Sequence, residues 1–293
     1  MNGVVLIDKP TGWTSHDVVN RWRKVAGTKR AGHLGTLDPL ATGLLVLVTG
    51  TATRLAQFFE KEEKTYLADI QFGLISNTYD IDGDVQQTDV APPEDLQVIR
   101  EALGAFTGSF DQVPPPVSAK KIAGVPAYKL ARRNVPVDLK AVPVNISELE
   151  LLSFARGKIS IRVTCSAGTY IRSIAHDLGQ RLGCGAVLEQ LRRTRVGCFD
   201  VEDSYKLDQL AQLASEGRLS QAVIPSRSLL PHVPGQYVDA ITETQIRRGR
   251  DFRTSPFVVQ PGAPKVKAIS QTGELIAIGE LRIPNVYHPS TVF

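Results

Sequence analysis

The sequence predicts an α+β fold, a mainly antiparallel mixed sheet with flanking helices and a small β-rich unit at the C-terminus, on three observations. Strand-like and helix-like segments follow one another irregularly, with neither a regular strand–helix alternation nor a GxGxxG turn, which disfavours a doubly wound parallel sheet. Two strand-like runs, 146–155 and 158–166, are separated only by Arg156 and Gly157, the spacing of a hairpin. Past about residue 230 the chain breaks into short strand-like pieces between turns. A length of 293 residues is more than one small core needs. Two units are expected, 1–230 and 231–293, joined through "LLPHVPG" at 229–235.

The apolar run Val4 to Ile7 reads as a strand that Asp8, Lys9 and Pro10 end. Thr14 or Ser15 can cap a helix in which Val18, Val19, Trp22 and Val25 share a face, and Gly27 stops it. Residues 30–43, "RAGHLGTLDPLATG", hold too many Gly, Thr and Pro for a helix, so they read as a loop running into the apolar stretch 44–50, a buried strand or helix turn. A helix is expected at about 51–62. Tyr66, Ala68, Ile70 and Phe72 then alternate with Leu67, Asp69 and Gln71 as in a strand with unequal faces. "NTYDIDGDV" (77–85) is an acidic turn, and 92–108 is a helix with Pro93 near its start, Leu96, Ile99, Leu103 and Phe106 on one face, and Gly108 beyond its end. The proline-rich, basic stretch "DQVPPPVSAKKIAGVPAYKLARRN" is too irregular for core and reads as a surface excursion within about 111–140. After the hairpin, "GTYIRSIAHDLGQRLG" (168–183) is a helix with Thr169 as its cap and Gly183 as its stop. The C-terminal pieces are "YVDAIT", "FVVQPGAPKVKAIS" and "GELIAIGELRIP".

An apolar share of 42% and a charged share of 22% are those of an ordinary soluble chain, and no run approaches the roughly 18 apolar residues of a membrane span. The N-terminus lacks the charged start, long apolar middle and cleavage site of a signal peptide, so a cytoplasmic protein is expected. Cys165, Cys184 and Cys198 are isolated and odd in number, which indicates neither a disulfide framework nor a zinc site. The five histidines have no ligand spacing, and no metal or cofactor is expected. The formal charge is only +4, but "RWRK", "TKR", "ARR", "LRRTR" and "IRRGR" are spread along the chain, as expected if several elements line one polyanion track. Solvated helix faces are the other reading of each cluster.

Asp38 is a lone carboxylate between Leu37 and Pro39 on the 30–43 loop, and an aspartate before proline can simply serve a turn. The whole stretch "GHLGTLDPLATGLL" resembles the catalytic loop of the TruB-type tRNA pseudouridine synthases, bacterial stand-alone form. Further segments resemble the same family in the same order: "LIDKPTGWTSHDVV" at the start, "KTYLADIQFG" at 64–73, "VPPPVSAKKIAGVPAYKLAR" at 113–132, "CSAGTYIRSIAHDLG" at 165–179 and "LRRTRVG" at 191–197. The resemblance covers about residues 3–200 and, more weakly, a PUA-like RNA-binding unit at 231–293. It implies an isomerase, an intramolecular transferase that converts the T-loop uridine conventionally numbered 55 in tRNA to pseudouridine. The implied partner is the tRNA T stem-loop, bound by a monomer without membrane or guide RNA. Breaking the N-glycosidic bond, turning the uracil and rejoining it through carbon requires no electron acceptor, phosphate or metal.

By that resemblance Asp38 is the catalytic carboxylate, acting either as a nucleophile on sugar or base or as the base of an elimination. Arg172 takes the place of the arginine that pairs with it and orients it. Tyr66 falls where an aromatic ring stacks on the flipped uracil, its phenol also able to relay a proton. Tyr170 and Leu191 match residues lining the pocket, His33 one that helps extrude the base, and Asp80 and Lys9 two further substrate-side positions, the other readings being an acidic turn for Asp80 and a structural corner for Lys9 with Pro10. One departure is visible: the stretch reads "SAKK", so Lys120 stands beside Lys121, the lysine expected at RNA, and which of the two approaches it stays open. Arg132 and Arg133 could add phosphate contacts. Two rival readings are the catalytic subunit of a guide-RNA pseudouridylation complex and a non-catalytic tRNA-folding module. The absence of basic extensions speaks against the first, and the intact set Asp38, Tyr66 and Arg172 against the second.

Overall fold

The computed structural model describes residues 1–118 and 139–293 and, between them, the backbone of 121–122 and 125–126. The side chains of Lys120 and Lys121, and Arg132 and Arg133, lie outside the described residues. Strand β1 (Gly3–Lys9) leads into helix α1 (Ser15–Val25), which Thr14 starts: its hydroxyl accepts from the Asp17 amide at 3.1 Å while the Asp17 carboxylate accepts from the Thr14 amide at 3.0 Å. Residues 30–43 are only partly loop. β2 (Ala31–His33) pairs with β3 (Thr42–Thr49), and 34–41 form the loop proper, with Asp38 within it. The helix expected at 51–62 is a 3₁₀ helix, Gly50–Phe58. Thr49 offers it no side-chain cap, and β-branched Thr51 and Thr53 occupy its first turn, so the tighter, shorter form is what this segment supports.

β4 (Lys64–Phe72) alternates buried and half-buried residues along its whole length, as the sequence predicts. β5 (Leu74–Ser76) and β6 (Val85–Gln87) flank the acidic turn. α2 (Leu96–Gly104) is capped by Asp95 and is followed by β7 (Gly108–Gln112), for which the sequence carries no strand pattern. The backbones of β8 (Lys121–Ile122) and β9 (Val125–Pro126) pair with each other. β10 (Val142–Ala155) and β11 (Lys158–Cys165) form the expected hairpin, with Arg156 at φ 53° and Gly157 at φ 71° in its turn. β10 starts ahead of its apolar pattern because Val142–Ile146 pair with β7. α3 (Ile171–Leu182) ends at Gly183 as expected but begins at Tyr170, not Thr169, whose hydroxyl donates instead to the Ser166 carbonyl at 2.9 Å. β12 (Ala186–Val196), β13 (Phe199–Asp200), α4 (Leu207–Ser215) and β14 (Ile224–Pro225) complete the large unit.

Ten strands form one sheet in the order β14-β1-β3-β12-β4-β11-β10-β7, with β13 on β12 and β2 on β3. Its pairings are antiparallel except one: β3 and β12 run parallel and meet only at Thr42↔Arg192 and Gly43↔Arg193. α1, α2, α3 and α4 cover one face through Trp22, Ile99, Ile174 and Leu210, packed with Val5, Ile7 and Leu45 of the strands. Val4, Leu6, Leu44 and Val46 point the other way and meet Leu55 and Phe59 together with Leu275 and Ile278 of the C-terminal unit. The strands of this half are therefore buried on both faces, which is why they read as unbroken apolar runs.

The second sheet follows the order β15-β17-β18-β19-β16, formed by β15 (Gly235–Tyr237), β16 (Phe252–Arg253), β17 (Lys265–Ile269), β18 (Leu275–Ile283) and β19 (Val286–Val292). "YVDAIT" is not a strand past Tyr237: Asp239 accepts from the Thr242 amide at 2.7 Å and caps α5 (Ala240–Arg247), so the cap decides over the β-branched residues. "FVVQPGAPKVKAIS" is extended only from Lys265 onward. Among the described residues no helix is long and apolar enough to cross a membrane.

Candidate active site

The candidate site forms where the two halves of the sheet meet. Gly43 lies at φ 93°, and a Cβ there would stand 2.3 Å from the Arg193 carbonyl, so the close approach of β3 to β12 needs glycine. Beyond this short pairing a side chain takes over from the backbone. Arg193 is fully buried; its Nε donates to the Leu44 carbonyl at 2.8 Å and its Nη2 to the Gly35 carbonyl at 3.1 Å, tying β12 to both ends of the Asp38 loop.

The loop is held from its other side by the first turn of α1. The Leu37 amide donates to Ser15 Oγ at 2.8 Å, and the Gly12 amide to the Pro39 carbonyl at 2.8 Å. Lys9 sits beneath it with no exposed surface, its ammonium donating to the carbonyls of Pro10 (3.0 Å), Trp13 (2.6 Å) and Pro39 (3.3 Å). Burial pushes the Lys9 ammonium down to about 8, against the opposing pull of Asp38.

Asp38 thus presents a side chain 39% exposed from a loop whose backbone is fixed on every flank. Arg172, 6% exposed, reaches it from the first turn of α3 with Nη2–Oδ2 at 3.0 Å. The same guanidinium meets Asp80 at 3.4 Å and donates through Nη1 to the Thr78 carbonyl at 3.1 Å. Burial raises the Asp80 carboxyl above its ordinary range, and the Asp38 charge adds to that rise, while the Thr78 hydroxyl and Arg172 oppose it. One cation therefore links two carboxylates, one facing the cavity and one shut in behind it.

The cavity in front of Asp38 has a volume of about 260 Å³ and is lined by Asp38, Tyr66, Tyr170, Arg172 and Leu191, which the sequence nominates, and by Lys64 and Arg193, which it does not. That size is below the ~300–1,000 Å³ of drug-sized sites. Tyr66 enters from β4 opposite Arg193 of β12, whose positive charge stands near the phenol. Burial raises the Tyr66 pKa, against the opposing charge of Arg193, so the phenol is neutral and holds its proton more tightly than an exposed tyrosine. Tyr170 opens α3, and Gln112 clamps its backbone, donating from Nε2 to the carbonyl at 3.0 Å and accepting from the amide at 2.8 Å.

The other nominated residues stand off the cavity. Asp80 is behind Arg172, Lys9 beneath the loop, and His33 at the end of β2, half-buried, its Nδ1 without a hydrogen-bond partner. Burial lowers the His33 pKa. Lys121 falls outside the described side chains. Lys64 was legible in principle, since it precedes Tyr66 by two and so shares the buried face of β4. Gln112 carries no such signal. The cluster "LRRTR" is not all surface: Arg192 pairs with Asp8 at 2.9 and 3.0 Å, and Arg193 is interior. Among the described residues no group of three His, Cys, Asp or Glu could hold a metal ion.

Known proteins resemble this chain over its whole length. Residues 23–171 match the N-terminal domain of TruB family pseudouridylate synthases, and residues 172–231 match the C-terminal domain of tRNA pseudouridylate synthase B. The chain is 51% identical over 292 residues to a tRNA pseudouridine synthase B of Solibacter usitatus, covering 100% of both chains. It is 43% identical to the protein of that name from Opitutus terrae over 80% of this chain and 97% of the other. Among solved structures it is similar to a chain of an H/ACA ribonucleoprotein bound to a substrate RNA containing 2′-deoxyuridine, with TM-score 0.70, 25% identity and coverage of 99% of this chain and 84% of that one. Sequence matches running from Arg23 to Pro231, and along the full length of one relative, carry one conclusion: the chain belongs to the TruB family of pseudouridylate synthases.

Proposed function

We propose that this enzyme isomerises the T-loop uridine at position 55 of tRNA to pseudouridine, without guide RNA, by reaction of Asp38 with a nucleotide flipped into the cavity. The observation that carries this reading is that Asp38 is the one carboxylate among the described residues lining the cavity, partly exposed and aimed by Arg172. In the reaction the N1–C1′ bond breaks, the uracil turns, and C5 bonds to C1′ while C5 loses its proton and N1 gains one. Asp38 either attacks sugar or base, or removes the proton that starts an elimination. Tyr66 stacks on the uracil, and Leu191 and Tyr170 keep water from the detached base. Lys9 and Arg193 act through the loop backbone, and His33, at the end of β2, helps extrude the base. The unit 231–293 serves as a second RNA-binding module, and Lys120 or Lys121 of the excursion approaches RNA. The full-length match to tRNA pseudouridine synthase B supports tRNA as substrate.

The test is an unmodified tRNA transcript incubated with purified protein and no guide RNA, followed by mapping of pseudouridine. One modified uridine, in the T loop, is expected. Asp38→Asn keeps size but removes charge and nucleophilicity, so its single-turnover rate should fall by about a thousandfold or more while tRNA affinity survives. Near-normal turnover by the folded variant would remove Asp38 from the chemistry.

A further inference from the structure

Two residues that the proposed reaction leaves unused lie just behind Arg172. Tyr79 and His176 are stacked, ring centroids 3.8 Å apart and planes at 8°. His176 follows Arg172 by four on α3, so the two project from one face of that helix. Tyr79 stands between Thr78 and Asp80, the residues whose carbonyl and carboxylate grip the Arg172 guanidinium at 3.1 and 3.4 Å. One helix face thus holds three consecutive residues of the acidic turn, by charge at Arg172 and by ring contact at His176.

The turn needs such a hold. Tyr79 lies at φ 66°, a region that a bulky side chain seldom occupies without restraint from its surroundings. On its other side the turn is fixed to β12, with the Leu188 amide donating to the Tyr79 carbonyl at 3.0 Å and the Ile81 amide to the Leu188 carbonyl at 3.0 Å. Asp80 is fixed within the turn by the Thr78 hydroxyl at 2.6 Å and the Asp82 amide at 3.1 Å. The backbone bonds place the turn on the sheet, but none of them links it to α3. That link is the guanidinium itself and the stacked rings.

We propose that the Tyr79–His176 stack is a positioning device for catalysis, docking the Thr78–Asp80 turn on α3 so that Arg172 is presented to Asp38 in one orientation. This rests on the reading of Asp38 as the reacting group. Neither ring touches the cavity, so both residues act only through Arg172. Loss of the stack lets the turn and the guanidinium shift together, and small misplacements of an orienting group are costly to rate. RNA affinity, set by phosphate contacts elsewhere, is not involved.

The test uses the full chain and an unmodified tRNA transcript, with single-turnover rate, tRNA affinity and melting temperature measured for each variant. Tyr79→Leu and His176→Leu keep apolar bulk and remove the ring pair; each should lower the rate about tenfold with affinity unchanged. Tyr79→Phe keeps the ring and should restore most of the rate. Tyr79→Gly separates the stack from the backbone requirement, because glycine adopts positive φ freely. If position 79 only has to accept that conformation, Tyr79→Gly turns over like the parent and the proposal fails. It fails equally if both leucine variants keep the parental rate. Asp38→Asn measured alongside tells the two readings apart: an active Asp38→Asn overturns the assignment of the site, whereas an inactive one beside fully active stack variants overturns only the positioning role.

Discussion

Arg172 carries three contacts on one guanidinium, to Asp38, Asp80 and the Thr78 carbonyl, and lysine cannot reproduce them with a compact ammonium. Arg172→Lys is expected to lower the single-turnover rate by about a hundredfold with little change in tRNA affinity. Arg172→Met goes further and strands the buried Asp80 carboxylate, so chemical denaturation should also show a loss of about 3–5 kcal/mol. Lys9 makes a prediction of a different sort. Its folded pKa of about 8 lies below the ordinary lysine value of 10.5, so between pH 8 and 10.5 the unfolded chain binds more protons than the folded one. The Lys9 contribution to stability therefore rises with pH across that window and is lost again as pH falls through 8. Denaturation midpoints measured from pH 7.5 to 10 should climb less steeply, or fall more steeply, in Lys9→Met than in the parent.

At the scale of elements, the site depends on two joints. The first is the start of α3, which has no side-chain cap of its own and relies on Gln112 of β7 for two hydrogen bonds to Tyr170. Gln112→Ala should cost about 1–3 kcal/mol, two ordinary hydrogen bonds, and should lower turnover as well because Tyr170 and Arg172 ride on that helix turn. A variant that is destabilised yet turns over normally when saturated would separate this joint from the chemistry. The second joint is the parallel contact of β3 and β12. Gly43→Ala sets a methyl group 2.3 Å from the Arg193 carbonyl at a φ of 93°, so a loss above ~2 kcal/mol is expected, read from the denaturant midpoint.

At the scale of the whole molecule, the two sheets share a core. Leu275 and Ile278 pack with Val4, Leu6 and Val46, together with Leu229, Leu230 and Val233 of the connecting stretch. Removing 231–293 would expose that face of the large sheet to water, so the truncated chain should melt at lower temperature and self-associate, an outcome that thermal unfolding and gel filtration would report together. A truncated chain that melts like the parent would show that the shared face contributes little.

The local elements were legible because each depends on nearby residues: a cap at Thr14 or Ser15, which the structure places at Thr14, the period-two burial of β4, the Arg156-Gly157 turn and the Gly183 stop are short-range rules. Asp38, Tyr66 and Arg172 were legible through motif, not through physics, since nothing in their own neighbourhoods states that three distant segments meet. Where local signals competed, the sequence misled: Asp239 capped a helix in a β-branched stretch, and the run after Thr49 became a 3₁₀ helix. The tertiary structure alone decided the rest. Whether Arg193 faces RNA or the interior, whether Lys9 touches substrate or the loop beneath it, and whether Gln112 matters at all depend on which strands become neighbours. That choice is made by the long-range pairing of β12 with β3 and β4, in which each buried charge must find backbone carbonyls to bond, and no window of sequence contains both sides of such a contact.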